Sequence, residues 1–193
     1  MLITNSHLQG TPILSVQAGG SIGHLEAAII DPDSLKIIAF RVHGAPDKTA
    51  NILDVQSIRE YSSLGVVIDD ADELISSEDV IKIKNVLDLN FDLLNLKVET
   101  KKGSKLGHVI DFTVTPEDFI VQQLIVKRPV VKSFLDSELT IPRTEIVEIT
   151  DYKIIVKDEE KTIKERAEKE DFVPNFVNPF RKTDYVSAEN SDN

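Results

Sequence analysis

Gly19–Leu35 reads G-G-S-I-G-H-L-E-A-A-I-I-D-P-D-S-L, and Lys102–Phe119 reads K-G-S-K-L-G-H-V-I-D-F-T-V-T-P-E-D-F. Set in register on their later glycines, Gly23 and Gly107, the two stretches lie 84 residues apart. Gly19 then meets Gly103, Gly20 meets Ser104, Ser21 meets Lys105 and Ile22 meets Leu106. Beyond the glycine, His24 meets His108, Pro32 meets Pro116, Leu35 meets Phe119, Phe40 meets Leu124 and Val42 meets Val126. The match returns between the stretches beginning at Leu53 and Ile141, where Ile58 falls on Ile146 at an offset of 88. The four added residues belong to the loop Lys127–Glu138. An insertion confined to a connection, with flanking apolar positions still aligned, is what an internal structural repeat requires. The chain reads as one β-unit present twice.

Each copy is built of short strands. Gly19-Gly20-Ser21 and Lys101–Ser104 supply hairpin turns, since glycine takes the positive φ that tight turns need. Gly23 and Gly107 sit just inside the following strand, the place of a bulge or a close backbone approach. Asp31-Pro32-Asp33-Ser34 and Thr115-Pro116-Glu117-Asp118 are turns, with proline pre-setting φ and acids receiving the freed N–H groups. Strands follow at Ile37–Val42 and Ile120–Val126. A closing hairpin comes from Ile58–Tyr61 with Gly65–Ile68, and again from Ile146–Ile149 with Lys153–Val156. Strands this short with turns this frequent predict a barrel or sandwich.

Residues 1–75 and 90–158 are thus expected to form two modules, with 76–89 as linker. The linker is predicted to hold one helical turn at about Ser77–Ile81, capped by serine and by Glu78 and Asp79. An extended link follows, whose Val86, Leu87, Leu89, Phe91, Leu93 and Leu94 would pack the modules together. Residues 159–171 read as a charged helix with Glu/Lys pairs at helical spacing, and 172–193 as a flexible tail.

The 193 residues carry a formal charge of −11, with 41% hydrophobic and 28% charged side chains. An acidic field of that size repels phosphate backbones and anionic membrane surfaces, so neither direct nucleic-acid binding nor membrane docking is expected. With no cysteine, disulfides, thiolate zinc sites and a cysteine nucleophile are excluded. A basic, apolar leader and a bilayer-length apolar run are both missing from the reading, which points to a cytoplasmic location and no membrane insertion.

The order of an opening apolar strand (Pro12–Ser15, and Val98 in the second copy), a glycine turn, hydrophobic-Gly-His-hydrophobic at Ile22–Leu25 and Leu106–Val109, and a proline turn at Pro32 and Pro116 resembles the PRC-barrel family. The resemblance covers about residues 6–72 and 90–158. It implies mainly β architecture: two tandem small six-stranded β-barrels that act by protein contact, without a catalytic constellation. Family members include the cytoplasmic domain of the photosynthetic reaction-centre H subunit and the C-terminal domain of a ribosome maturation factor. Neither role transfers, because the membrane helix of the first and the N-terminal domain of the second have no counterpart in this sequence.

Candidate chemistry is sparse. His24 and His108 are equivalent, which invites a paired site, but a polar residue after a strand glycine more simply points outward. His7 and His43 lack partners at ligand spacing. Asp69-Asp70-Ala71-Asp72-Glu73 lacks the alternation of a calcium loop and reads as a solvated turn. Asp31 and Asp33 read as turn acids, and Ser21 and Ser104 have no base beside them. No P-loop, G-x-S-x-G or H-E-x-x-H stretch occurs. Neither catalytic, metal nor cofactor residues are assigned, and an enzyme is not expected. Two features suit partner binding. Arg128 and Phe134 stand on the lengthened loop, whose apolar residues could equally cover a barrel mouth. Phe172, Phe176 and Phe180 recur beside Arg181 and Lys182 in the tail, as a docking motif or as a segment folding back on its own barrels. The expected function is a protein-binding or scaffolding module; the alternatives are an accessory factor in ribosome or RNA maturation contacting a basic ribosomal protein, and a small-molecule or metal-binding regulator.

Overall fold

The computed structural model describes residues 1–129 and 137–158. The expectations for Phe134, for the charged helix at 159–171 and for the tail at 172–193 lie outside the described residues.

The protein is mainly β. Its first sheet holds β2 (Pro12–Ser15), β3 (Gly20–Asp31), β4 (Lys36–His43), β5 (Ile52–Asp54), β6 (Glu60–Ser62), β7 (Gly65–Ile68) and β8 (Leu74–Ile75). Their order across the sheet is β6-β7-β2-β3-β4-β5-β8. The second sheet holds β9 (Lys97–Thr100), β10 (Lys105–Val114), β11 (Val121–Lys127), β12 (Glu138–Pro142), β13 (Ile146–Ile149) and β14 (Lys153–Val156). Their order is β13-β14-β9-β10-β11-β12, with β1 (Ile3–Thr4) laid against β10.

The two sheets are built on one plan. In each, the opening strand runs parallel to the second strand of the closing hairpin, β7 or β14: Ile13 opposite Val66, and Val98 opposite Ile154. The irregularities repeat as well. The ladder of β3 with β4 slips between Leu25 and Ala27 and again between Ile29 and Ile30, while that of β10 with β11 slips between Val109 and Asp111 and between Thr113 and Val114. Each slip recurs 84 residues on. Bulges are local devices that bend a strand and re-aim its side chains, so four in matching places mark one backbone used twice. Ile22 and Leu106 both sit at a slip beside the strand glycine and both pack on the same core; so do Ile58 and Ile146.

A strained position recurs too. Leu35 (φ 48°) and Phe119 (φ 55°) both adopt the left-handed region that branched and bulky side chains avoid. Each ends the proline turn and is buried, at 4% and 5% exposure. They mark where the two sheets meet. Ile37 donates its N–H to the Phe119 carbonyl at 3.0 Å, and Val121 donates to the Leu35 carbonyl at 2.9 Å. These bonds are reciprocal under the 84-residue shift, as across a two-fold interface. The Phe119 ring packs edge-on against Phe40, centroids 5.6 Å apart. Residues Met1–Asp158 form one compact unit, whose main core runs through both sheets from Leu25, Phe40 and Val66 to Val109, Leu124 and Ile154.

The backbone pairing does not close into a barrel in either copy. In the first, β8 takes the outer edge of β5, with Ile52 opposite Ile75 and Leu53 opposite Leu74; in the second, β12 and β13 are the two ends of the path. Each sheet is an open path with edges.

The linker contains a helix, displaced from the expected place: α1 is the short Asn5–Leu8, and α2 runs Ile81–Asp88. Ser76–Asp79 closes on itself instead of starting a helix. The Ser76 N–H donates to the Asp79 carboxylate at 2.8 Å, Asp79 N–H donates back to the Ser76 carbonyl, and Val80 remains extended. The later start lets Ile83, Val86 and Leu87 share one face. That face covers Ile29, Ile38, Ala39 and Ile52 on the outer side of the first sheet. Val86 and Leu87 therefore do not belong to an extended link between modules, and Leu89 is exposed, whereas Leu93, Phe91 and Leu94 do join the shared core. The corresponding outer positions of the second sheet are Thr113, Gln122, Gln123 and Thr140, which need no apolar cover. Among the described residues, no helix is long and apolar enough to cross a membrane.

Candidate functional site

A two-fold contact between sheets creates each peripheral feature twice, and here it creates two grooves. Each lies between the proline turn of one copy and the 3-10 turn and edge strand of the other. The first holds about 440 Å³ and is lined by Val55, Ile58 and Tyr61 from the first copy and by Pro116, Glu117 and Phe119 from the second. The other holds about 300 Å³, lined by Pro32, Asp33 and Leu35 from the first copy and by Arg143, Ile146 and Ile149 from the second. Pro32 answers to Pro116, Leu35 to Phe119, Ile58 to Ile146, Tyr61 to Ile149 and Val55 to Arg143. The two sites are one site in two versions.

What distinguishes them is the residue opening each 3-10 turn, Val55–Ser57 or Arg143–Glu145. Arg143 crosses its own groove and bonds to the opposing turn, leaving about 300 Å³ beside it. Its Nη2 donates to the Ser34 carbonyl at 2.7 Å, and its Nη1 lies 3.4 Å from both the Leu35 and Val121 carbonyls. One guanidinium thereby pins the turn of the first copy to the second sheet, using the fixed fork of donors that arginine carries. Val55 has no donor, and the groove on its side is larger and open.

The floor of the open groove is apolar, from Val55, Ile58, Pro116 and the buried Phe119. Tyr61 lies in its wall, and burial pushes its phenol up from the ordinary value. The rim is charged. Arg59 is paired with Asp69, Nε to Oδ1 at 2.5 Å, on the surface where such pairs are screened. The Asp118 carboxyl is held below its usual range, chiefly by the Thr115 hydroxyl and also by the Ile120 N–H at 3.1 Å and nearby Lys36. With Arg59 and Lys36 so engaged, Glu60 and Glu117 are the lining carboxylates that remain.

Arg128, the histidines and the turn acids singled out from sequence fall elsewhere. Arg128 is half-buried at the base of the lengthened loop, where its N–H donates to the Ser137 carbonyl at 2.9 Å. Phe134, Phe172, Phe176 and Phe180 lie outside the described residues. His24 and His108 are both exposed, His24 opposite His43 on one sheet and His108 opposite Lys127 on the other. The Asp31 carboxylate accepts from the Asp33 N–H at 3.1 Å and the Ser34 hydroxyl at 2.7 Å, and Asp70 caps the 3-10 turn Ala71–Glu73. Among the described residues, no group of three or more histidine and acidic side chains converges as metal ligands would. Val55, Tyr61 and Lys36 carry no motif, so nothing in the sequence marks them individually. The pairing of Val55 with Arg143 at the 88-residue offset was the one available sign.

Neither a family model nor a curated protein matches this chain.

Proposed function

We propose that this chain is a non-enzymatic, tandem PRC-barrel-like protein that binds another protein, with the open groove between Val55 and Phe119 as its docking site. The observation that carries this reading is the contrast between the grooves. A duplicated interface begins with two equal recesses; in one the carbonyls of the opposing turn are taken by Arg143 and about 300 Å³ remains, and in its counterpart no side chain of the 3-10 turn takes them and about 440 Å³ remains. A volume of about 440 Å³ falls in the range of sites that hold ligands, roughly 300–1,000 Å³. Edge strand β6 forms one wall, so an extended segment entering there also meets backbone groups that no further strand of the sheet takes up.

The overall charge of −11 favours a basic partner. That preference keeps one specific version in view, contact with a basic ribosomal protein during ribosome maturation. The test of the general reading is affinity capture with the full chain and with its Val55→Arg variant, which rebuilds in the open groove the arginine contact found in the other. A partner retained by the unaltered chain and lost by Val55→Arg supports groove docking. A partner retained equally by both removes the groove from the account.

A further inference from the structure

We infer that the open groove takes an arginine side chain presented by a protein partner, seated as Arg143 is seated in the related groove. This inference rests on the groove being a docking site and adds the chemistry of what enters it.

The protein supplies its own precedent. In the Arg143 groove a guanidinium reaches the carbonyls of Ser34, Leu35 and Val121 at 2.7, 3.4 and 3.4 Å. Under the repeat these carbonyls correspond to Asp118, Phe119 and Ile37 on the open side. The backbone that holds them is the same there: left-handed at Phe119 as at Leu35, and joined by the reciprocal bond from Ile37 to Phe119. The side chain that donates to them is replaced by Val55. A guanidinium arriving from outside would find the same carbonyl arrangement.

The charges point the same way. Ser34 of the Arg143 groove is matched by Asp118 in the open one, so negative charge is added there even though that carboxylate accepts from the Thr115 hydroxyl and the Ile120 N–H. Glu60 and Glu117 add two more carboxylates on the rim. Lys36 and Arg59 are the cations facing the site, one beside Asp118 and the other bound to Asp69. A planar, permanently charged fork meets carbonyls and carboxylates together better than a lysine ammonium does. The apolar floor of Val55, Ile58 and Pro116 accommodates the arginine stem and an apolar neighbour.

The experiment titrates the isotope-labelled full chain with a blocked Leu-Arg-Phe tripeptide and follows backbone amide resonances. Matched peptides carry citrulline or lysine in place of arginine. The arginine peptide is expected to shift the amides of Glu60, Tyr61, Glu117 and Phe119 saturably. Citrulline, which keeps the shape and loses the charge, should bind at least about tenfold more weakly, the factor expected for one charge-assisted hydrogen bond. Val55→Arg should abolish the response. Because that variant could perturb folding, Glu60→Gln with Glu117→Gln provides an independent arm, in which affinity for the arginine peptide falls and its dependence on salt weakens. Unmoved groove amides, or equal binding of arginine and citrulline, overturn the inference. So does a change of the same amides on Arg181→Gln without added peptide, since the occupant would then be the chain's own C-terminal segment. If the peptide is silent while Val55→Arg still loses the captured partner, the arginine chemistry falls and groove docking stands.

Discussion

Replacing Gly107 by alanine should cost about 2–4 kcal/mol of folding stability, and more than the same change at Gly23. Gly107 has φ +148°, and a Cβ built there would lie 1.9 Å from the Lys127 carbonyl oxygen and 2.8 Å from its carbon. Both atoms are backbone, so no rotamer change relieves the overlap; β10 must move off β11 where His108 faces Lys127. The loss of a ladder hydrogen bond is worth about 1 kcal/mol. Holding a non-glycine residue in that sparsely populated region costs about 1–3 kcal/mol more. Gly23 differs in degree. Its φ of +159° lies at the extended limit, and a Cβ would approach the His43 carbonyl oxygen and Val42 Cγ1 at 3.0 Å, an overlap that a few tenths of an ångström remove. Its cost should be about 1–2 kcal/mol, allowing the lower end of the same strain and no broken pair.

Urea unfolding of the full chain, followed by far-ultraviolet circular dichroism, measures both variants against the unaltered protein. The midpoint should fall with the slope unchanged, because the loss is local strain and leaves the exposed surface on unfolding the same. A Gly107→Ala protein within about 0.5 kcal/mol of the unaltered chain, the usual range for a harmless surface change, refutes the close strand approach. A Gly23→Ala protein the less stable of the two refutes the ranking.

Two further outcomes test the contact between the sheets. Arg143→Met keeps an unbranched apolar stem and removes the donors to Ser34, Leu35 and Val121; with one short and two long bonds from a half-exposed charged group, about 2 kcal/mol should be lost in the same urea assay. Thr115→Val should raise the carboxyl of Asp118, whose lowered value is owed first to the Thr115 hydroxyl. A carboxyl depressed by folding stabilises the protein above its unfolded value, near pH 4, and ceases to do so as pH falls through the folded value. The unaltered chain should therefore exceed Thr115→Val in stability at neutral pH, and the part of the gap owed to this carboxyl should vanish on acidification; a carboxyl-resolved NMR titration in which Asp118 titrates alike in both proteins would count against it.

Much of this architecture was legible because a duplicated chain is its own alignment. The positions of Gly23, Gly107, Pro32 and Pro116 fixed the strand register, and those residues act through backbone conformation, which sequence records directly. The start of α2 was not legible, because Ser76, Glu78 and Asp79 are as suited to a closed turn as to a helix cap. The decision came from the outer face of the first sheet, where Ile29, Ile38 and Ile52 call for an apolar helix face at Ile83. The strand on the outer edge of β5 was missed for a related reason. Leu74 and Ile75 look like the end of a module, yet they take the edge of β5, a choice made by tertiary pairing. The open groove was the least visible feature: Ile58 and Tyr61 read only as part of a closing hairpin, and the reciprocal turn contacts are what set them and Val55 opposite Pro116 and Phe119.

A two-fold contact made within one chain is freed from a constraint that binds a homodimer. In a homodimer any change in one groove appears in both, so a plug that strengthens the contact also closes both recesses. Once the two copies are joined, the grooves can diverge. Here the divergence includes Tyr61 against Ile149 and Ser34 against Asp118, and its main consequence falls on the first residue of each 3-10 turn: Arg143 bonds across the interface and holds it together, while Val55 offers no side-chain donor at the equivalent place. The stabilising element and the open one are thus separate residues at equivalent sites. Removing Arg143 should weaken the contact without altering the Val55 groove's own lining, whereas Val55→Arg should occupy that groove while leaving the Arg143 pin in place, so stability and partner binding are expected to respond to different substitutions of the same structural position.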